Sequence, residues 1–261
     1  MKIVILNQKG GVGKTTVTVN LAFGLANVGK KTLIIDIDPQ AHSSVIYVSE
    51  VLKEETVGRL FQNKNFDIEQ IIQKTSVIID ENGEDKKGIV KNLFIIPSNI
   101  HLASIAESIT FKTYREKILH NHLKKINKEY DYILIDCPPT LNVLTINAIF
   151  TADFICIPTN YSKYSLDGIS DLFESITEIK ESKNYGYKIL RNIKDVRSSR
   201  TNEVIENQLI NFKDNLFKTI IRRTESINQS QMLNLPVSIF DPKSTGADDF
   251  FNLTKEVLKH G

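Results

Sequence analysis

The chain is 261 residues long, 41% apolar and 25% charged, with a formal net charge of +2 and two cysteines. That length and apolar content suffice for one large α/β domain or two small ones with a sizeable core, and the near-neutral balance does not by itself point to nucleic acid. No apolar stretch approaches the roughly 20 residues that span a bilayer, and Cys137 and Cys156, with no histidine nearby, make no zinc pattern. Both lie in strand-like apolar runs, where buried free thiols and a reducing cytosol are expected.

The first apolar run, Lys2–Leu6, predicts a core strand rather than a signal peptide. It leads into Asn7-Gln8-Lys9-Gly10-Gly11-Val12-Gly13-Lys14-Thr15-Thr16, a glycine loop that opens a helix predicted over Thr15–Val28. Gly29 closes that helix in the left-handed cap position. Glycines without a Cβ let backbone N–H groups close around phosphate oxygens, and the helix N-terminus points its positive end at the same anion. In this P-loop reading Lys14 reaches the β- and γ-phosphates and the Thr15 hydroxyl ligands Mg²⁺. The usual spacing would put a glycine at Gln8. Here that glycine is missing and a second lysine, Lys9, precedes Gly10.

The next strand, Thr32–Ile37, runs into Asp36-Ile37-Asp38-Pro39-Gln40. Residues two apart on a strand face the same way, and ligands bind beyond the carboxyl ends of parallel strands. Asp36 and Asp38 are therefore both expected at the phosphate site. One would hold a metal-bound water, and the other would orient or deprotonate the attacking water. The stretch from 50 to 91 is the least regular. Asn82-Gly83 between Val77-Ile78-Ile79 and Ile89-Val90 predicts a hairpin there, read as an excursion within a single domain covering 1–261. A strand at Leu93–Pro97 and a helical pattern over His101–Leu123, broken near Thr110–Lys112, come next. The strand Tyr132–Asp136 then ends in Asp136-Cys137-Pro138-Pro139-Thr140. Four apolar residues and an aspartate make the Walker B form, which places Asp136 near Mg²⁺.

Helices are predicted over Leu141–Phe150, Leu166–Lys180, Asn202–Phe212 and Ala247–Leu258, and strands over Phe154–Pro158, Tyr187–Ile193 and Leu216–Ile221. This alternation predicts an α/β fold with a doubly wound, mostly parallel sheet and helices on both faces. From Lys183 to Arg223 ten Lys/Arg stand against four Asp/Glu, a local charge of +6 that leaves −4 for the remainder. Such asymmetry marks a candidate polyanion-binding face. The five histidines read as ordinary surface or half-buried residues.

With these motifs assembled, the sequence resembles the ParA/Soj family of partition ATPases, within the larger deviant Walker A group that includes MinD. The resemblance rests on Lys9–Thr16, Asp36–Gln40, Asp136–Thr140, Ile157-Pro158-Thr159 with Leu166-Asp167-Gly168, and Asp241–Ala247. It implies ATP and Mg²⁺ as cofactors, with the nucleotide held by the whole loop Lys9–Thr16. Lys9 would cross to the phosphates of the partner copy in an ATP-bound homodimer. Asp36 would support Mg²⁺ with Thr15 and Asp136, and Asp38 would position the attacking water beside Lys9 and Lys14. It further implies slow ATP hydrolysis stimulated by a ParB-type centromere-binding partner. The ATP-bound dimer would bind duplex DNA without sequence preference, in a cytoplasmic protein that associates with the nucleoid. Arg200-Thr201-Asn202 matches a family DNA-binding segment. The candidate DNA contacts are Arg191, Lys194, Arg197, Arg200, Arg222 and Arg223, with Ser226 standing where relatives carry a further arginine. Two alternatives remain open: a MinD-like membrane-cycling ATPase, and a positioner of non-DNA cargo that uses ATP as a dimerisation switch. The tail from Asp248 to His260 begins with acids and carries Phe250, Phe251, Leu253, Val257 and Leu258. It reads as a docking helix, not a basic membrane helix.

Overall fold

A computed structural model describes residues 1–81, 84–162 and 168–260. Eight strands form one sheet: β1 (Lys2–Ile5), β2 (Thr32–Asp36), β3 (Gln73–Glu81), β4 (Glu84–Ile96), β5 (Tyr132–Asp136), β6 (Phe154–Asn160), β7 (Gly186–Lys194) and β8 (Leu216–Arg222). Their order across the sheet is β3-β4-β2-β5-β1-β6-β7-β8. Every pairing from β4 to β8 is parallel, and β3 alone runs antiparallel, against β4. The central strands are apolar on both faces because both are covered. Ile3 and Ile5 pack on one side of the sheet, Val4 and Leu6 on the other.

Among the described residues the longer helices are α1 (Lys14–Asn27), α4 (Leu102–Ile109), α5 (Ile118–Ile126), α6 (Val143–Thr151), α7 (Ile169–Lys180), α8 (Ser199–Leu209), α9 (Glu225–Met232) and α11 (Thr245–Leu258). Short helices α2 (His42–Tyr47), α3 (Gly58–Gln62) and α10 (Val237–Phe240) complete the chain order. Buried residues of α1 and α11 belong to the apolar cluster on the Ile3/Ile5 face, and those of α4 to α8 to the cluster on the Val4/Leu6 face. The sequence places most of these elements within a few residues. The break expected near Thr110–Lys112 falls between α4 and α5. His122, expected at the surface or half-buried, is fully buried, with Nε2 hydrogen-bonded to the Leu60 carbonyl.

The hairpin is more integral than an excursion. β4 pairs with β3 and then continues directly into the central sheet, where Leu93–Ile96 lies beside Thr32–Ile35 of β2. Asn92, in the left-handed region at φ 61°, stands at the junction, a conformation asparagine tolerates better than most residues. The turn at Asn82-Gly83 and the motif residues Leu166 and Asp167, with the expected start of a helix at Leu166, lie outside the described residues.

The C-terminal helix docks as its apolar spacing predicts. Phe250, Leu253 and Val257 of α11 are buried in the same cluster as Leu21 and Leu25 of α1, whereas Phe251 stays half-exposed. Gly24 of α1 provides the close approach, since a Cβ there would sit 2.2 Å from the Thr254 Oγ1. Helix α11 also covers the outer edge of β8. Glu256 accepts hydrogen bonds from the backbone N–H groups of Lys218 and Thr219 at 2.8 and 2.9 Å, and Asp249 accepts from that of Arg222 at 2.9 Å. No described helix is long and apolar enough to cross a membrane.

Candidate nucleotide site

The P-loop leaves β1 at the centre of the sheet. Asn7 pins its start: Nδ2 donates to the Pro158 carbonyl of β6 at 2.8 Å, and Oδ1 accepts from the Lys9 N–H at 2.9 Å. Gly11 and Gly13 take positive φ of 72° and 84°, which a side chain would resist. A Cβ on Gly10 or Gly11 would meet no atom within 4 Å, so the loop backbone faces open space. That space is a cavity of about 410 Å³ lined in part by Gly10, Gly11, Gly13, Lys14, Thr15, Thr16, Asp38 and Pro139. Lys14 lies almost buried with Nζ donating to the Lys9 carbonyl at 3.1 Å. Burial pushes its pKa down, while Asp136 acts in the opposite direction. Lys9 Nζ donates to the Ser162 Oγ at 2.5 Å, at the end of β6.

Asp36 and Asp136 are register partners on the adjacent parallel strands β2 and β5. Both carboxylates are fully buried. Burial raises the pKa of each, and Asp136 raises that of Asp36 further. Hydroxyls and N–H groups hold them in place. Asp36 accepts from the Ser44 N–H and Oγ at 3.0 and 2.7 Å and from the Asp38 N–H at 3.0 Å. Asp136 accepts from Ser43 Oγ at 2.5 Å and from Thr18 Oγ1 at 3.3 Å. Two neighbouring buried carboxylates with one lysine nearby are short of positive charge, and a hard divalent cation with oxygen ligands would supply it. Asp38 stands apart from this pair, half-buried at the cavity wall, with Oδ1 accepting from the Gln40 N–H at 2.9 Å.

Asn192, Ile193, Ile221, Arg222, Arg223, Asn228 and Gln231 line the same cavity. The sequence does not single out Ser43, Ser44, Asn192, Asn228 or Gln231 for the site. Only Ser43 and Ser44 leave a signal, as hydroxyls directly behind Asp-Ile-Asp-Pro-Gln.

Residues 1–189 match the family model described as an AAA domain. The chain is 35% identical to the sporulation initiation inhibitor protein Soj of Bacillus subtilis, over 99% of this chain and 98% of Soj. It is 31% identical to the chromosome partitioning protein ParA of Myxococcus xanthus, over 98% of this chain and 87% of that one. The protein belongs to the ParA/Soj family of P-loop partition ATPases. Among solved structures, the septum site-determining protein MinD of Pyrococcus horikoshii complexed with Mg-ADP matches with a TM-score of 0.77 at 25% identity, over 99% of this chain and 96% of that one. This likeness agrees with the doubly wound sheet.

In this ParA/Soj chain the six candidate basic residues fall into two groups. Arg191 and Lys194 both bond to Glu206 of α8, at 3.0 and 3.1 Å, and Arg191 also donates to the Phe217 carbonyl at 2.8 Å. Tyr161 adds its hydroxyl to the same carboxylate at 2.5 Å. These bonds hold the Glu206 pKa below its usual value against the opposing effect of burial. Arg222 is bonded to Asp249 at 2.6 Å, and Arg197 pairs with its neighbour Asp195 at 2.8 Å. Arg200 and Arg223 are exposed. Four of the segment's ten basic residues are thus ion-paired, three with Glu206 and Asp195, which the +6 already counts, and one with Asp249 from outside it.

Proposed function

We propose that this chain is a Mg²⁺-dependent ATP hydrolase that dimerises on ATP, binds duplex DNA non-specifically and segregates a replicon with a ParB-type partner. All 261 residues would act as one ATPase domain. One observation carries the reading: a single cavity is lined both by the P-loop and by Arg222 and Arg223 of the basic segment. Nucleotide and polyanion surfaces are therefore contiguous.

The residues suit the roles. The N–H groups of Gly10 to Thr16 would bind the phosphates, and Lys14 would neutralise the β- and γ-phosphates. Thr15, Asp36 and Asp136 would hold Mg²⁺, which supplies charge neutralisation at the phosphates when bound. Asp38, at the cavity wall, would orient the attacking water. Lys9 would leave Ser162 and reach the phosphates of the second copy. The docked α11, its apolar face buried against α1, supports the DNA reading over membrane cycling.

A gel shift with arbitrary duplex DNA at low salt, with ATP, ADP or no nucleotide, tests the proposal. A shift specific to ATP that fades with rising salt is expected, since phosphate contacts release counterions. No ATP-specific shift would remove DNA from the function.

A further inference from the structure

Asn192 is only 2% exposed, at the point where β7 passes beneath the P-loop. Its Nδ2 donates to the Val12 carbonyl at 2.7 Å, and its Oδ1 accepts from the Ile193 N–H at 3.0 Å. The contact is close enough to dictate the loop's composition. A Cβ at Gly13, the residue that caps α1, would lie 2.4 Å from Asn192 Nδ2. One side chain thus touches the turn on which the phosphate-binding N–H groups depend.

The backbone beside it is unusual. Ile193 has a φ of 56°, left-handed for a β-branched residue, a conformation rarely adopted without cause. Here also β7 carries an extra residue: three steps from Arg191 to Lys194 match two from Ile220 to Arg222 on β8. Such a bulge locally frees one residue from the ladder and re-aims the chain beyond it. The next residue is Lys194, whose carbonyl accepts from the Arg223 N–H at 2.9 Å, and the loop that carries Arg197 and the start of α8 with Arg200 come after it. The P-loop, a strained bulge and the basic loop are linked by consecutive bonds.

We propose that Asn192 is a positioning residue for the P-loop, and that the Asn192–Ile193 bulge is the hinge through which a filled P-loop shifts the segment 194–200, from the end of β7 to the start of α8. The proposal rests on the nucleotide-site reading above but not on DNA being the ligand. Phosphate drawn into the loop reorients the Val12–Gly13 peptide, and the hydrogen bond to Asn192 carries that reorientation into the bulge. The left-handed Ile193 gives the bulge an alternative, unstrained backbone state, and coupling requires such a two-state element.

Amide hydrogen exchange with and without saturating Mg-ADP tests this directly, because a diphosphate fills the P-loop without requiring a DNA or partner assay. In the parent chain, exchange across 194–200 is expected to change at least threefold on Mg-ADP, alongside protection of 10–16. In Asn192→Ala, saturated with Mg-ADP, protection of 10–16 persists and the change across 194–200 disappears. Ile193→Gly, which relaxes the left-handed strain and loosens the hinge, should reduce that change too, and decides the matter if Asn192→Ala fails to fold. Unaltered transmission in the variants, or none in the parent chain, overturns the proposal. Intact transmission together with a negative gel shift would leave the hinge standing and sink the DNA reading instead.

Discussion

Replacing Asp36 by asparagine should change both the stability of the fold and how that stability depends on pH. The buried pair Asp36/Asp136 takes up its protons with folded-state values of about 8 and about 6, above the 3.8 of an ordinary aspartate. A raised carboxyl pKa means that the folded chain binds more protons than the unfolded one. Stability is therefore greatest at low pH and is lost as pH climbs from the unfolded value through the folded values. Each proton retained only by the folded state gives a slope of about 1.4 kcal/mol per pH unit. Between pH 6 and 7.5 one such proton resides on the pair, so the metal-free parent should lose about 2 kcal/mol across that interval. For a chain of this size that is a fall in Tm of roughly 4–8 °C. Asp36→Asn removes this term. It also sets an NH₂ group in place of one of two accepting oxygens, against the Asp38 N–H on one or the Ser44 N–H and Oγ on the other, at a pH-independent cost of about 1–3 kcal/mol. The assay is thermal melting in chelator at half-unit pH steps. The variant should melt lower yet show a flatter profile, and Mg-ADP should flatten the parent's profile too. Parallel profiles for parent and variant would refute the charge argument.

Asp38→Ala should slow ATP turnover by about 10²-fold or more, in the range of a lost water-orienting group, while fluorescent-nucleotide titration finds binding intact. Unchanged turnover would remove Asp38 from the mechanism. Arg200→Ala with Arg223→Ala should weaken ATP-dependent DNA binding and lower its salt slope by about 2, with dimerisation by light scattering unaffected. Arg191→Ala should instead cost about 2–4 kcal/mol of stability in denaturant melts, because it leaves Glu206 and the Phe217 carbonyl short of a donor. Gly24→Ala gains about 1 kcal/mol of helix propensity but drives a methyl into Thr254, so a net loss of about 1–2 kcal/mol is expected. Adding Thr254→Ala, which removes the opposing Oγ1, should recover part of it.

The parts of the site legible in the sequence are those written in consecutive residues. The P-loop, Asp38 and Asp136 stand at strand ends that apolar runs announce, and period-two alternation places their side chains without any knowledge of the tertiary fold. Asn192, Asn228 and Gln231 reach the same cavity only because β7 lies beside β6 and α9 folds back over the P-loop. Nothing local marks them. The hairpin was legible as a hairpin, but its continuation into β2's neighbour was not. A strand that pairs antiparallel on one side and parallel on the other has the same alternation throughout. The charge of the segment 183–223 was also legible, but its availability was not. Glu206 lies just beyond Arg200-Thr201-Asn202 in the chain yet neutralises Arg191 and Lys194 of β7, and Asp249, which neutralises Arg222, is beyond the segment altogether.

The α11 carboxylates Glu256 and Asp249, bonded to the outer edge of β8, bear on assembly. A parallel sheet that ends in an open strand offers a ladder of backbone donors to any passing strand, a second copy of the chain included. With the Lys218, Thr219 and Arg222 N–H groups already held by a helix of the same chain, that edge cannot template strand addition without first losing α11. Self-association through this margin is thereby discouraged whatever the nucleotide state. If copies pair on ATP as proposed, that pairing must use another face, because this border is already insulated.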